Sequence, residues 1–166
     1  MILGLLSDTH DNLNNLLKAI DILKTERAET VIHCGDITSP ETISLLEGFP
    51  LRCAFGNMDF EQDSLRQAIQ RLDKDNRAGL VLELEFDGIA VAVAHGHQRE
   101  VLSELIHSGR YAYVFHGHTH RRRDERIGET RVINPGALSS ARSGGPSIAC
   151  LNLVEDDLRF FKLPRN

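Results

Sequence analysis

With 166 residues, 41% of them hydrophobic, the chain is long enough to bury one sizeable core, and a single domain over residues 1–166 is expected. The net charge of -5 disfavours extended nucleic-acid binding, whose affinity comes from Lys and Arg neutralising phosphates. Cys34, Cys53 and Cys150 form no CxxC pair, which excludes a disulfide framework or a thiolate zinc site as the organising element and fits a reducing, cytoplasmic setting.

Met1 to Leu6 is apolar but stops at Ser7 and Asp8 without a basic flank, too short for a signal peptide or a membrane span. Ile2 to Leu6 reads as a buried strand, after which Leu13, Leu16, Leu17, Ile20 and Leu23 recur at helical spacing. Val31 to Cys34 starts the next strand, Ser39 and Pro40 open a short helix to Glu47, and Leu51 to Phe55 is a third strand. A parallel, right-handed β-α-β-α-β run follows from that order. Ser64 is expected to cap a helix whose apolar positions are Leu65, Ile69 and Leu72.

Leu80 to Phe86 and Ile89 to Ala94 flank Asp87-Gly88, a pair suited to a two-residue hairpin turn. A helix over Glu100 to His107 then leads to a strand over Ala112 to Phe115. Arg123 to Ile133, Ser147 to Leu153 and Leu158 to Leu163 alternate in strand fashion around Gly128 and Asp156-Asp157, with a short loop from Ser139 to Pro146. The class this predicts is α/β: two packed β-sheets with helices outside.

Five predicted strands end alike, with apolar residues giving way to Asp, His or Asn beside Gly. The segments are SDTHDN from Ser7, HCGD from His33, FGNMD from Phe55, AHGH from Ala94 and HGHTH from His116, and seven of the eight histidines lie in them. Carboxyl ends of strands line the ligand crevice in open α/β sheets, so the five fragments form one candidate site. Carboxylates, imidazoles and an amide together suit a borderline divalent ion, and this many of them exceed what one cation uses. Taken singly, Asp8 and Asp36 could be helix caps, Asn57 a turn residue beside Gly56, and any of the histidines a hydrogen-bonded structural group. Gly35, Gly56, Gly96 and Gly117 would let the backbone turn tightly beside such a cluster.

In this order, D-x-H, G-D, G-N-x-D, a late H and G-H-x-H, together with the loop INPGALSSAR from Ile133, the chain resembles the calcineurin-like metallophosphoesterases, and among them the small prokaryotic phosphodiesterases. The resemblance covers the whole chain and implies a four-layer α/β/β/α sandwich of two mixed sheets. It puts Asp8, His10 and His120 on one divalent ion and Asn57, His95 and His118 on a second, with Asp36 bridging. Manganese is the first expectation, with Ni, Co, Fe or Zn as alternatives. His33 and His116 are left as groups that orient ligands.

A centre of that charge favours a phosphate ester, attacked in line by a hydroxide shared between the metals. Many members of the wider family carry a histidine after the Asn of the third motif, held by the acidic residue, to protonate the leaving group. Met58 occupies that position here, and a thioether cannot donate a proton. Asp59 is thereby left without its usual partner, with a loop-holding role expected of it, and His97 becomes the candidate acid. Asn12, Arg121 and Arg142 are candidate substrate contacts; the run Arg121, Arg122, Arg123 and Arg126 reads either as a solvated hairpin or as a basic rim recruiting an anion such as a nucleotide, with Arg142 on the facing loop. The competing reading is a protein-interaction scaffold of the same fold, as in a retromer subunit. Membrane association is not expected, and self-association is left open.

Overall fold

The computed structural model, described for residues 1–139 and 144–164, contains fifteen elements among those residues. They are β1 (Ile2–Leu6), α1 (Leu13–Thr25), β2 (Thr30–His33), α2 (Pro40–Ser44), β3 (Leu51–Ala54), α3 (Gln62–Leu72), β4 (Arg77–Gly79), β5 (Val81–Phe86), β6 (Ile89–Ala94), α4 (Arg99–His107), β7 (Tyr113–Phe115), β8 (Arg123–Ile127), β9 (Thr130–Asn134), β10 (Ser147–Asn152) and β11 (Asp157–Lys162).

One sheet has the order β11-β10-β1-β2-β3-β4 and the other β5-β6-β7-β9-β8. Both are mixed: β1 to β4 run parallel, β10 is antiparallel to β1 and β11 to β10 at one edge, and β6, β7 and β9 run parallel between antiparallel β5 and β8. The alternation of β1 explains the layering. Leu3 and Leu5 face Val91, Val93, Phe115 and Ile133 of the second sheet, while Leu6 faces Leu16 and Leu23 of α1. On the far side, Ala92, Val114 and Val132 bury Leu105 and Ile106 of α4. The result is helices, sheet, sheet, helix, with three apolar layers between them. At about 25 cal/mol per Å² of apolar surface removed from water, burial of this kind is the main favourable term.

The Asp87-Gly88 hairpin forms with both residues at positive φ, 51° and 79°, as a type I′ turn requires. Other expectations shift. Ser64 does not cap α3, which starts three residues earlier from Glu61 without a side-chain cap bond. The helix after Ser39 ends at Ser44 rather than Glu47, while Ser39 does cap it, its hydroxyl accepting from Thr42 N. The last turn precedes Asp157, which opens β11, and Asp156 takes its left-handed position at φ 52°. The three-residue strand β4 was not anticipated, because Arg77-Ala78-Gly79 carries no apolar alternation and gains its place only by pairing with β3. The Ser139 to Pro146 loop lies partly outside the described residues. All three cysteines are buried and unpaired. Among the described residues no helix is long and apolar enough to cross a membrane.

Candidate metal centre

The parallel strands of both sheets end on the same side of the molecule, and their polar continuations meet there. Asp8 and His10 follow β1, Asp36 follows β2, Asn57 follows β3, His95 and His97 follow β6, and His118 and His120 follow β7. Asp8 Oδ1 lies 3.1 Å from His120 Nε2, 3.8 Å from His95 Nε2 and 3.9 Å from His10 Nε2. Asp36 Oδ2 lies 3.2 Å from His95 Nε2 and 3.5 Å from His10 Nε2, between the two. Asp8, His10 and His120 form one group whose ligand atoms all fall within 4.8 Å of one another, and Asp8, Asp36 and His95 form a second.

The second group overlaps the first through Asp8, so both carboxylates stand between the histidines. The His118 ring packs 5.1 Å from that of His95, and Asn57 is exposed on the loop beyond β3. The His97 ring lies 5.6 Å from His95 and 6.3 Å from His118, with Nδ1 buried and without a hydrogen-bond partner.

Two observations test whether these residues fit a metal. Asp8 Oδ1 and His95 Nε2 are buried with no hydrogen-bond partner, although such groups are almost always satisfied in folded proteins. His95 Nδ1 bonds the Cys34 carbonyl at 2.8 Å, which fixes the proton on Nδ1 and turns the Nε2 lone pair toward two carboxylate oxygens. Acceptors facing acceptors require positive charge between them. The same demand shows as proton affinity: burial lowers the His95 pKa, but the facing Asp36 and Asp8 carboxylates outweigh it and raise the pKa overall. Burial raises the Asp8 and Asp36 carboxyls, yet the facing histidines hold both below the usual range. An oxygen and nitrogen donor set sharing carboxylates fits borderline divalent ions.

The backbone here is held in a costly conformation. Asp8, His10, Asp36, His118 and His120 have φ of 52°, 43°, 57°, 65° and 57°. Such residues cost about 1–3 kcal/mol each and persist only where surroundings impose them, commonly at functional sites. The imposing contacts are Asp8 N to Gly35 O at 2.9 Å, His10 N to Asp36 O at 3.1 Å, Ser139 N to Asp8 O at 3.0 Å and His118 N to Asp8 Oδ2 at 3.1 Å. Gly35 and Gly96 adopt positive φ as expected, but Gly56 and Gly117 do not. Those two permit close approach instead: a Cβ at Gly117 would collide with Ser7 Oγ, and one at Gly56 with Asp36 Oδ1.

Asp59 is 2% exposed, and its carboxylate accepts three backbone amides: Asp36 N at 2.9 Å and Gly56 N at 2.7 Å on Oδ2, and Thr38 N at 2.8 Å on Oδ1. Met58 N in turn donates to Asp36 Oδ1 at 2.8 Å, so the loop after β3 is folded around the Asp36 carboxylate. With three backbone amides on its two oxygens, Asp59 holds the loop rather than facing the reacting atoms. Asn12 caps α1, its Oδ1 accepting from Asn15 N at 3.1 Å. Arg121 lines a cleft beside the site, and Arg142 lies outside the described residues.

His33 and His116 are buried, and burial pushes both down to about 4, so they are neutral near pH 7. His33 bonds Thr9 Oγ1 at 2.8 Å and Gly35 N at 3.2 Å, bracing the turns that carry Asp8 and Asp36. Two anchors were not singled out by residue type. Asp11 accepts Ser39 Oγ at 2.6 Å and Thr42 Oγ1 at 2.7 Å, tying the loop after β1 to α2. Asn134 donates to Gly117 O at 2.8 Å and Thr119 Oγ1 at 3.2 Å and accepts Gly136 N at 2.9 Å, fixing the loop that bears His118 and His120. The Asn-Pro-Gly signature was the available signal for Asn134.

A two-sheet α/β fold whose joined strand ends carry clustered carboxylates and imidazoles defines a class, the metal-binding hydrolases of the four-layer sandwich type. Residues 1–156 match the calcineurin-like phosphoesterase superfamily domain. The chain belongs to that superfamily, a family of phosphoric-ester hydrolases, and is an enzyme of that class. It is similar to the phosphodiesterase MJ0936 of Methanocaldococcus jannaschii, 37% identical over 161 residues that cover 96% of this chain and 97% of that protein. A solved novel archaeal phosphodiesterase superposes at TM-score 0.93 with 36% identity, over 98% of this chain and 100% of the other. A single mutant of Vps29 from Entamoeba histolytica, at 20% identity and TM-score 0.69 over 100% of both chains, shares the fold.

Proposed function

We propose that this chain is a phosphodiesterase that works with two divalent ions, manganese foremost, one held by Asp8, His10 and His120 and the other by Asn57, His95 and His118, with Asp36 between them. The carrying observation is the convergence of Asp8 Oδ1, Asp36 Oδ2 and three imidazole Nε2 atoms, two of these atoms buried without a partner. The names of the relatives at 37% and 36% identity favour a diester over a monoester substrate. When bound, such ions supply Lewis-acid stabilisation of the phosphoryl oxygens and an acidified water as nucleophile.

The protein's own contribution is position. Asp36 is held through its side chain by Met58 N and through its backbone by Asp59, so the shared carboxylate needs no reorganisation when substrate arrives. His97, half-buried beside His95 and His118, is the one remaining imidazole near enough to serve a leaving group, since Met58 has no proton to give. A cytoplasmic setting and small phosphate-ester substrates, nucleotides included, complete the reading.

The test is turnover of bis(4-nitrophenyl) phosphate by chelated protein before and after addition of Mn, Ni, Co or Zn. Turnover that vanishes on chelation and returns with metal is expected. Metal uptake without turnover of any diester would replace this reading with the scaffold one.

A further inference from the structure

Beside the candidate centre lies a cleft of about 490 Å³ lined by His116, Thr119, Arg121, Arg122 and Arg123, within the size range of small-molecule sites. It is built from the same loop as the metal ligands, by alternation. His118 and His120 turn toward His95 and Asp8, while Thr119 and Arg121 between and after them line the cleft.

No carboxylate lines it, in a chain whose net charge is -5. Arg123 is neutralised by Glu125 at 2.8 Å, but among the described residues Arg121 and Arg122 have no carboxylate within 4.0 Å. Arg122 is seated by glycines: a Cβ at Gly136 would come within 3.3 Å of its Cγ and one at Gly144 within 2.5 Å of its Nη2. Thr119 Oγ1 already accepts from Asn134 Nδ2 at 3.2 Å and Arg121 N at 3.4 Å, which leaves its hydroxyl proton to donate into the cleft. Two guanidinium groups and a hydroxyl, all donors around one concavity, match the oxygens of a phosphate.

We propose that this cleft binds a second phosphate of the substrate, so that the preferred ester is a phosphodiester bearing a further terminal phosphate, held by Arg121, Arg122 and Thr119. The assignment rests on the phosphodiesterase reading above. His120 and Arg121 are consecutive, with Cα atoms about 3.8 Å apart, so a terminal phosphate held by Arg121 lies beside the ester at the candidate centre.

The experiment compares the metal-loaded chain on thymidylyl-thymidine with and without a 5′-phosphate, and on bis(4-nitrophenyl) phosphate. The phosphorylated dinucleotide is expected to have the higher kcat/KM by about tenfold or more, mainly through KM, the scale of one hydrogen bond to a charged group. Arg122→Ala should bring that ratio to about 1, and Arg122→Glu below it. A wild-type ratio near 1, or a ratio unchanged in Arg122→Ala, overturns the proposal, whereas loss of all turnover, aryl ester included, overturns the phosphodiesterase reading instead. Inorganic pyrophosphate binding to the chelated protein, followed by its shift in Tm, probes the cleft without catalysis. Binding lost in Arg122→Glu supports the site, no binding to the wild type overturns it, and binding beside a dinucleotide ratio near 1 assigns the cleft to a free anion and overturns the substrate role.

Discussion

Replacing Asp59 by Asn separates an anchor from a reacting group. The carboxylate receives three buried amides at 2.7–2.9 Å, two on Oδ2 and one on Oδ1. An Asn carbonyl can keep the two from Asp36 and Gly56, but its amino group then faces Thr38 N–H, donor against donor. One unsatisfied buried amide costs about 1–3 kcal/mol, and the other two bonds lose their charge assistance, so a total of about 3 kcal/mol is expected. For a chain of this size about 2–4 °C of Tm accompanies each kcal/mol, which predicts a fall of roughly 6–12 °C by calorimetry. Because the same amides set the backbone of Asp36, metal affinity should fall about 10–100-fold while turnover recovers as manganese is raised to saturation. An Asp59→Asn protein with wild-type Tm and metal affinity but no turnover at saturating metal would refute the anchor argument.

Three further outcomes follow from the same contacts. Gly117→Ala places a methyl group against Ser7 and 2.8 Å from Asp8 Oδ2, and should cost about 1–3 kcal/mol of stability. By displacing His118 and His120 it should also lower kcat/KM about 100-fold, and unaltered kinetics in the purified variant would count against it. Asp156 accepts from Tyr113 Oη at 2.7 Å and Arg131 Nη1 at 2.5 Å; burial raises its pKa, but these bonds outweigh burial and hold it below 3.8. A depressed carboxyl stabilises the fold above its unfolded pKa and loses that contribution as pH falls through the folded one. Asp156→Asn should therefore be about 1 kcal/mol less stable in urea near pH 7, with the gap closing as pH falls below the ordinary carboxylate range, and a pH-independent gap would contradict the assignment. With Met58 in place of a proton donor, aryl diesters should turn over far faster than alkyl ones, and His97→Ala should slow the alkyl esters most; equal rates for the two ester types would remove the argument.

The layers were legible in β1, because Leu3 and Leu5 alternate with Gly4 and Leu6, and period-2 alternation assigns a face to every residue. Strand ends were legible for a related reason: apolar runs cannot continue into Asp, His and Gly without leaving the core. What was not legible is mostly tertiary. Arg77-Ala78-Gly79 becomes a strand only because β3 offers an edge, and Ser64 lies inside a helix that starts where the chain leaves the loop held by Asp59. Met58 in the preceding position pointed to a loop-holding Asp59, but which backbone it holds is visible only in the three amides around it. Likewise the Arg121 to Arg123 run reads as a charged hairpin in sequence. Glu125 neutralises Arg123 in space, while Gly136 and Gly144, far along the chain, leave the room in which Arg122 sits.

Under the proposed function, donors from the ends of separate strands hold two cations side by side. Anomalous diffraction from crystals of the chain soaked in manganese tests it most directly. Two peaks roughly 3.5–4 Å apart are predicted, one against Asp8, His10 and His120 and one against Asn57, His95 and His118, with Asp36 touching both. No peak among these side chains, or peaks only elsewhere on the molecule, would contradict it.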